Sequence, residues 1–430
     1  MEMDAQILII GAGAAGLYAA EKLSRSGKKV LVLEARDRLG GRIHTGENGT
    51  FPVAVEQGAE FIHGRAPKTR AVLRKAGAAI TGVPRKMFRF KNGSWTVPEE
   101  FSENWAAFFD HAAQLKSDLV LRDFLQKYFN GPKDAAFRAM VRRFAEGYDL
   151  ADPRKASTKI LSEEWQLQNE RQFLVTGGYS QLTGYLARKA VQQGCTLLTS
   201  SVVTEINWRK HAAAVHLADQ RRFLAEKVLV TIPVGLLAAK RFSPGVIRFT
   251  PDITGYRKAA GQIGFGAVTK IQLFFKNPFW EQSGFREGFL ISGEAVPTWW
   301  TPADAGIPLL TGWLPHPAKP VIYCRQPLEG LKHVGSAISS LSAIFGLPPE
   351  QLQGMLLKST SYNWAADCFA GGAYSYAYPG TGKATAVLNR PLRDTLFFAG
   401  EALGNGAVRG TVESALVSSE NAVAALLATH

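Results

Sequence analysis

Residues 6–10 read QILII, an apolar run closed by glycine, as in a strand buried on both faces of a parallel sheet. Residues 14–26 switch to helical spacing, with Leu17, Ala20 and Leu23 on one side, and Gly27 ends the helix. Residues 29–34 (KVLVLE) give a second strand, completing a strand–helix–strand unit. From 66 to 175 the spacing is helix-like and rich in Phe, Trp, Ala, Lys and Arg, which predicts a helical insertion. Strand and helix patterns return over 177–232: a helix at 179–192, short strands near 196–206 and 213–217, and the strand KVLVTIP at 227–233. Residues 251–378 are mixed, with VTKIQLFF at 268–275 as their clearest strand. The segment 391–428 supplies a strand (TLFFAG) and a long helix.

The same α/β character thus recurs in three separate stretches. The expectation is an α/β fold in which a discontinuous Rossmann-like domain gathers 1–65, 177–250 and 385–430. A second, mixed α+β domain would take 66–176, including the helical insertion, and 251–384. At 430 residues the chain is too long for one core, which agrees with two domains.

Composition changes this picture little. Three cysteines, Cys195, Cys324 and Cys368, lie far apart with no C-x-x-C pair, so neither a disulfide framework nor a thiolate metal site is expected, which fits a reducing, cytoplasmic compartment. The acidic start runs straight into a strand, no stretch of 18 apolar residues occurs, and the chain stops at His430 just past a helical pattern. These features predict a cytoplasmic protein with no membrane anchor, either a monomer or a homodimer. The net charge of +14 fits a solvated surface or an anionic partner and sits awkwardly with a polycationic one. No basic stretch interleaved with aromatics and no DNA-reading motif is present, so nucleic acid is not an expected partner. His211 and His216 would face opposite sides of a strand and cannot share a metal; no metal site is expected. Neither a G-x-S-x-G elbow nor a G-x-x-x-x-G-K-[ST] loop occurs.

The informative motif is Gly11-x-Gly13-x-x-Gly16, between the first strand and its helix. Gly11 permits the tight turn, Gly13 lets the backbone approach a pyrophosphate with Ala14 and Ala15 at the helix start, and Gly16 allows close helix–strand packing. A pyrophosphate there would meet free N–H groups at the positive end of a helix. Glu34 ends the second strand, 23 residues after Gly11, where a carboxylate accepts hydrogen bonds from ribose hydroxyls and disfavours a 2′-phosphate. Beyond it runs Ala35-Arg36-Asp37-Arg38-Leu39-Gly40-Gly41-Arg42. On spacing alone this serves equally as an exposed basic loop or as a second pass along a pyrophosphate, with Arg42 donating to it.

The whole run GAGAAGLYAAEKLSRSGKKVLVLEARDRLGGR resembles the N-terminal signature of the flavin amine oxidase superfamily, which includes monoamine oxidases, polyamine oxidases, L-amino acid oxidases and lysine-specific histone demethylases. The likeness continues in EQGAEFIHG at 56–64, in VTGGYSQLTGYLA with SSVVTEI and KVLVTIPVGLL, and in VTKIQLFFKNPFW at 268–280. It extends to NWAADCFAGGAYSYAYPG at 363–380 and FFAGEALGNGAVRGTVESALVSSENAV at 398–423. The resemblance implies an FAD-binding and a substrate-binding domain, FAD as cofactor, and oxidation of a small-molecule amine with O2 reduced to H2O2. It adds Gly58, Ala59, Glu60, Phe61, Val203, Gly400, Glu401, Gly410, Thr411 and Val412 to the expected cofactor contacts.

The same resemblance places Lys270 beside the flavin, linked to N5 through water, and makes Trp364 and Tyr374 the aromatic wall that orients the amine. His63, in F-I-H-G, becomes a substrate-side hydrogen-bonding group or base. Ala373 stands where monoamine oxidases carry a cysteine bonded to the flavin, which implies non-covalent FAD. Thr411 stands where monoamine oxidases have a second cage tyrosine and resembles the GTV of polyamine oxidases, so the usual two-tyrosine cage is not expected. Three other functions fit parts of the pattern: an L-amino acid oxidase, a desaturase of a carotenoid or porphyrinogen, and a non-catalytic flavoprotein.

Overall fold

The computed structural model describes residues 3–46, 51–84, 86–96, 103–167, 171–239, 245–302, 306–316, 330–404 and 409–429. Its central sheet is built on parallel strands in the order Thr196–Leu198, Val30–Leu33, Ala5–Ile10, Arg222–Val230 and Leu396–Phe398. The three stretches that share α/β character therefore share one sheet. Ala212–Leu217 pairs antiparallel with Arg222–Val230, Val203–Arg209 pairs antiparallel with Ala212–Leu217, and Arg248–Thr250 closes that edge.

Residues of Ala5–Ile10 alternate between the two faces, as a strand period of two requires. Ile7 and Ile9 join one apolar cluster with the helices Ala14–Arg25, Ser180–Gln192 and Val412–Ala428. Leu8 and Ile10 join a second cluster with Val228, Ile253, Ala260 and Phe398. The helix Pro67–Lys75 contributes Val72 and Leu73 to the first cluster, and Ile253–Ile263 contributes to the second. Both lie outside the boundaries at 65 and 250 that the sequence pattern suggests.

A second sheet of seven strands runs in the order Leu356–Asn363, Ala267–Phe275, Leu309–His316, Thr298–Trp300, Phe289–Ile291, Met87–Lys91 and Ser94–Thr96. One face packs on the helix Gly330–Phe345 through Ile271, Leu273, Leu290, Trp299 and Leu310. The alternate residues, Lys270, Trp313, Thr298, Trp300, Phe289, Ile291 and Arg89, face an internal cavity.

The stretch 66–175 is helical only in part. Glu103–Ala113, Leu121–Tyr128, Ala135–Gly147 and Thr158–Leu167 gather around an aromatic cluster of Phe108, Phe124, Phe129 and Trp165. Ile80–Gly82 and Gln172–Val175 instead pair in a three-stranded sheet with Phe61–His63. Met87–Lys91 and Ser94–Thr96 form a hairpin, which corrects the wholly helical expectation. Its turn is Asn92-Gly93, both at positive φ, and alternating aromatics flank it; the signal was in the sequence.

Candidate flavin and amine site

Every residue expected to touch the cofactor, except Gly16, lines one cavity of about 1520 Å³. At one end lies the glycine turn. Gly11 has φ +100°, which an L side chain rarely adopts, so the tight turn needs glycine. A Cβ on Gly16 would stand 1.9 Å from the Gly11 carbonyl oxygen; Gly16 holds the helix against the turn from behind instead of lining the wall. A Cβ on Gly13 would meet nothing closer than the Gly40 oxygen at 3.8 Å, so its side faces open space. Gly13 caps the helix Ala14–Arg25 with no side-chain acceptor, leaving its first N–H groups toward the cavity. Gly40 and Gly41, also at positive φ, bring the second loop alongside in a parallel bridge to Gly13.

Glu34 is buried, with its carboxylate accepting from Ala12 N at 2.7 Å and Arg36 N at 3.0 Å. Arg36 pairs with Asp367 at 2.5 Å, and Tyr362 donates to the other Asp367 oxygen at 2.6 Å. The adjacent Arg36 guanidinium and Tyr362 hydroxyl outweigh the burial of Asp367 and hold its carboxyl below the usual range. Arg42 donates to Glu401 at 2.7 Å and to the Ala373 carbonyl at 2.8 Å, and Ser375 Oγ donates to the second Glu401 oxygen at 2.5 Å. Arg42 is thus braced by the carboxylate that the sequence placed on the cofactor. The last helix is capped by Thr411, whose hydroxyl accepts from Ser414 N at 3.2 Å, so the Gly410–Val412 end faces the cavity.

The other end of the wall is aromatic. Lys270 is 1% exposed, so it is no surface lysine despite its strand position. Its ammonium pairs with Glu60 and donates to the Gly58 carbonyl at 3.2 Å, while Trp300 Nε1 donates to the other Glu60 oxygen at 3.1 Å. Trp364 Nε1 donates to Gln57 O at 2.8 Å, fixing its ring edge on the Gly58 segment. Tyr374 donates to the Tyr148 carbonyl, and its ring lies nearly parallel to Trp313 with centroids 6.4 Å apart. Trp313, anchored through Nε1 to the Gly147 carbonyl at 2.8 Å, adds a second aromatic ring to this wall. Thr411 and Ala373 both line the same cavity.

His63 Nδ1 lies 3.2 Å from the Tyr148 hydroxyl. Burial lowers its pKa to about 4, so it is neutral at pH 7 and a weak base. This favours the hydrogen-bonding role over the base. Burial acts oppositely on Asp149, raising it to about 7, although Trp165 Nε1 donates to it at 2.8 Å. The lowered histidine has a consequence for stability. Between pH 6.5 and 4 the unfolded chain binds a proton at this residue that the folded chain does not. Its contribution is therefore present above 6.5 and lost as the pH falls through 4. His63→Asn should lose less melting temperature than the parent across that window, as thermal scans at stepped pH will show.

Sequence reading missed Asp367, Trp300, Trp313, Tyr148 and Asp149. Position in the chain gave little signal for them. In the dipeptide Trp299-Trp300, for example, the first ring is core and the second faces the cavity. One chemical expectation also changes: Cys368 is disulfide-bonded, while Cys195 is a buried free thiol. Distance along the chain is no guide to pairing where one sheet is assembled from three stretches. Among the described residues no group of three potential metal ligands occurs, and no helix is long and apolar enough to cross a membrane.

The wall fits a flavin dinucleotide. The open glycine turn and uncapped helix end suit a pyrophosphate, the buried Glu34 suits a ribose, and the Gly410–Val412 helix end suits an isoalloxazine edge. The comparisons agree. The sequence model for flavin containing amine oxidoreductases matches residues 14–427. The chain is 25% identical over 458 residues to polyamine oxidase 2 of Arabidopsis thaliana, covering 96% of this chain and 87% of that one. It is 26% identical over 486 residues to lysine-specific histone demethylase 1 homolog 3 of the same plant, covering 93% of this chain but 28% of that one. A rice homolog 2 of that demethylase is spanned over 56% of its length. Among solved structures, cyclohexylamine oxidase from Brevibacterium oxydans IH-35A superposes with a TM-score of 0.78 at 20% identity, over 98% of both chains. Putrescine oxidase bound to putrescine gives 0.75 at 20% identity, over 99% of both. This chain belongs to the family of flavin containing amine oxidoreductases.

Proposed function

We propose that the protein is an FAD-dependent oxidase of a small amine. The observation that carries this reading is the buried Lys270, beside Trp313 on one sheet face and sharing with Tyr374 the wall of one cavity that also contains the glycine turn. The cofactor-binding and substrate-binding portions correspond to the two sheets, with the ligand between them. FAD, when bound, supplies the two-electron acceptor; the amine becomes an imine that water hydrolyses, and O2 is reduced to H2O2.

The protein's own residues contribute binding and orientation. Tyr374 and Trp313 present ring faces between which an aliphatic amine can lie. An alkyl ammonium has a pKa near 10.4, and an apolar wall favours its reactive neutral form. His63, neutral and hydrogen-bonded to Tyr148, offers a fixed partner at the substrate side. Lys270, held by Glu60, keeps a cation and an ordered donor at the expected flavin edge. Ala373 has no sulfur, so the cofactor is held without a covalent bond.

Acid precipitation should release all the yellow colour to the supernatant, and a yellow pellet would contradict non-covalent binding. Anaerobic mixing with alkylamines should bleach the visible flavin band. If a polyene or porphyrinogen bleaches it and no amine does, the amine reading falls and the desaturase stands. The disulfide at Cys368 removes the cysteine spacing as an argument for a cytoplasmic compartment.

A further inference from the structure

The seven-stranded sheet carries a row of side chains outward from Lys270. Its pairings run Lys270–Trp313, Trp313–Thr298, Thr298–Ile291 and Ile291–Arg89, each to the next strand on the cavity face. From the strand of Trp313 to that of Arg89 is three interstrand steps, roughly 14 Å. In the hairpin strand Met87–Lys91, Phe88 and Phe90 pack against the core, so Met87, Arg89 and Lys91 project into the cavity. Arg65 and Arg143 line the same cavity.

These four cations have no ion pair or hydrogen bond to a carboxylate among the described residues. Carboxylates elsewhere on the wall are already engaged: Glu60 by Lys270 and Glu401 by Arg42. Glu146, Asp149 and Glu164 also line the cavity, and burial raises all three, for Glu146 against the opposing charges of Arg142 and Arg143. Among the described residues the unpaired charge lining the outer cavity is therefore mainly positive, in a protein whose net charge is +14.

We infer that the substrate is an amine whose far end carries a carboxylate or another anionic group, received by Arg89 with Lys91, Arg65 and Arg143 about three strands from the aromatic wall. This rests on the amine reading above and narrows it. It disfavours a diamine, whose second ammonium would meet like charges. It also separates the site from an α-amino acid oxidase, since an α-carboxylate lies one carbon from the reacting nitrogen and cannot reach Arg89. A guanidinium suits the role because its planar fork binds a carboxylate through two parallel hydrogen bonds.

The test compares kcat/KM for unbranched ω-amino carboxylates of rising length with alkylamines and diamines of equal length. The expected result is an optimum chain length at which the carboxylate is preferred over the alkylamine at least tenfold, with the preference falling as salt rises. Arg89→Ser should reduce that ratio about tenfold, mainly through KM, and Arg89→Lys should restore part of it. A ratio at or below one at every length, a preference for the diamine, or a ratio unmoved by Arg89→Ser with the melting temperature retained would overturn the inference. If alkylamines are not oxidised at all, the amine reading has failed instead; if they are and the carboxylate brings no gain, only this inference has.

Discussion

Gly16→Ala is expected to give a protein that purifies without yellow colour and melts well below the parent. Alanine is the better helix former by about 1 kcal/mol. Here that gain is outweighed. The new methyl would stand 1.9 Å from the Gly11 carbonyl oxygen and 3.1 Å from Thr231 Oγ1. Gly11 cannot yield easily, because Thr231 Oγ1 donates to both the Ile10 and Gly11 carbonyls, at 2.8 and 3.1 Å. Forcing a methyl into packed backbone costs about 3 kcal/mol. The turn would open, and the donors aimed at the pyrophosphate would scatter. Gly13→Ala is the control. Its φ of −78° suits any residue and its Cβ meets only one atom within 4 Å. That variant should melt within a few degrees of the parent yet bind FAD more weakly, because its methyl occupies the space the pyrophosphate needs. Flavin-to-protein absorbance ratio and thermal melting separate the two. A Gly16→Ala protein with full flavin and unchanged melting would refute the close approach.

Lys270→Met should cost about 3 kcal/mol of stability and slow flavin reoxidation by O2 about tenfold. The pair is asymmetric: the Lys270 side chain is 1% exposed and that of Glu60 14%. Methionine fills the space of the stem but leaves the Glu60 carboxylate with Trp300 as its remaining donor, in a dry wall. The destabilisation comes mainly from that stranded charge. Adding Glu60→Gln to Lys270→Met should therefore recover much of the stability. It should not recover reoxidation if the cation itself serves the reaction with O2. Stopped-flow reoxidation of the dithionite-reduced proteins, with melting curves for each, reads both effects. Recovery of both in the double variant would make Lys270 a structural residue only.

What the sequence revealed and what it hid follow from range. The strand–turn–helix around Gly11 to Gly16 was legible because turn chemistry and apolar spacing are local. The long apolar strands at 6–10 and 268–275 were legible for the same reason. The helical spacing over the rest of 66–175 hid the Met87–Thr96 hairpin, although its Asn92-Gly93 turn and flanking aromatics are equally local. The pairs that shape the reactive end join positions far apart in the chain: Glu60 with Lys270 and Trp300, Arg36 with Asp367, Arg42 with Glu401. No spacing rule reaches across two hundred or more residues. Family likeness named Glu60 and Lys270, and Arg42 and Glu401, without pairing them, and gave no hint of Asp367 or Trp300.

The parallel sheet takes its final strand from Leu396–Phe398, and the helix that caps the glycine turn's layer runs to Ala428. During synthesis the Gly11 segment leaves the ribosome long before either partner exists. It must wait, with the Ile7 and Ile9 face covered only by the earlier helices Ala14–Arg25 and Ser180–Gln192, until nearly the whole chain has emerged. Nascent chains shortened by about forty residues should thus be chaperone clients that cannot capture flavin, however complete their amino-terminal motif.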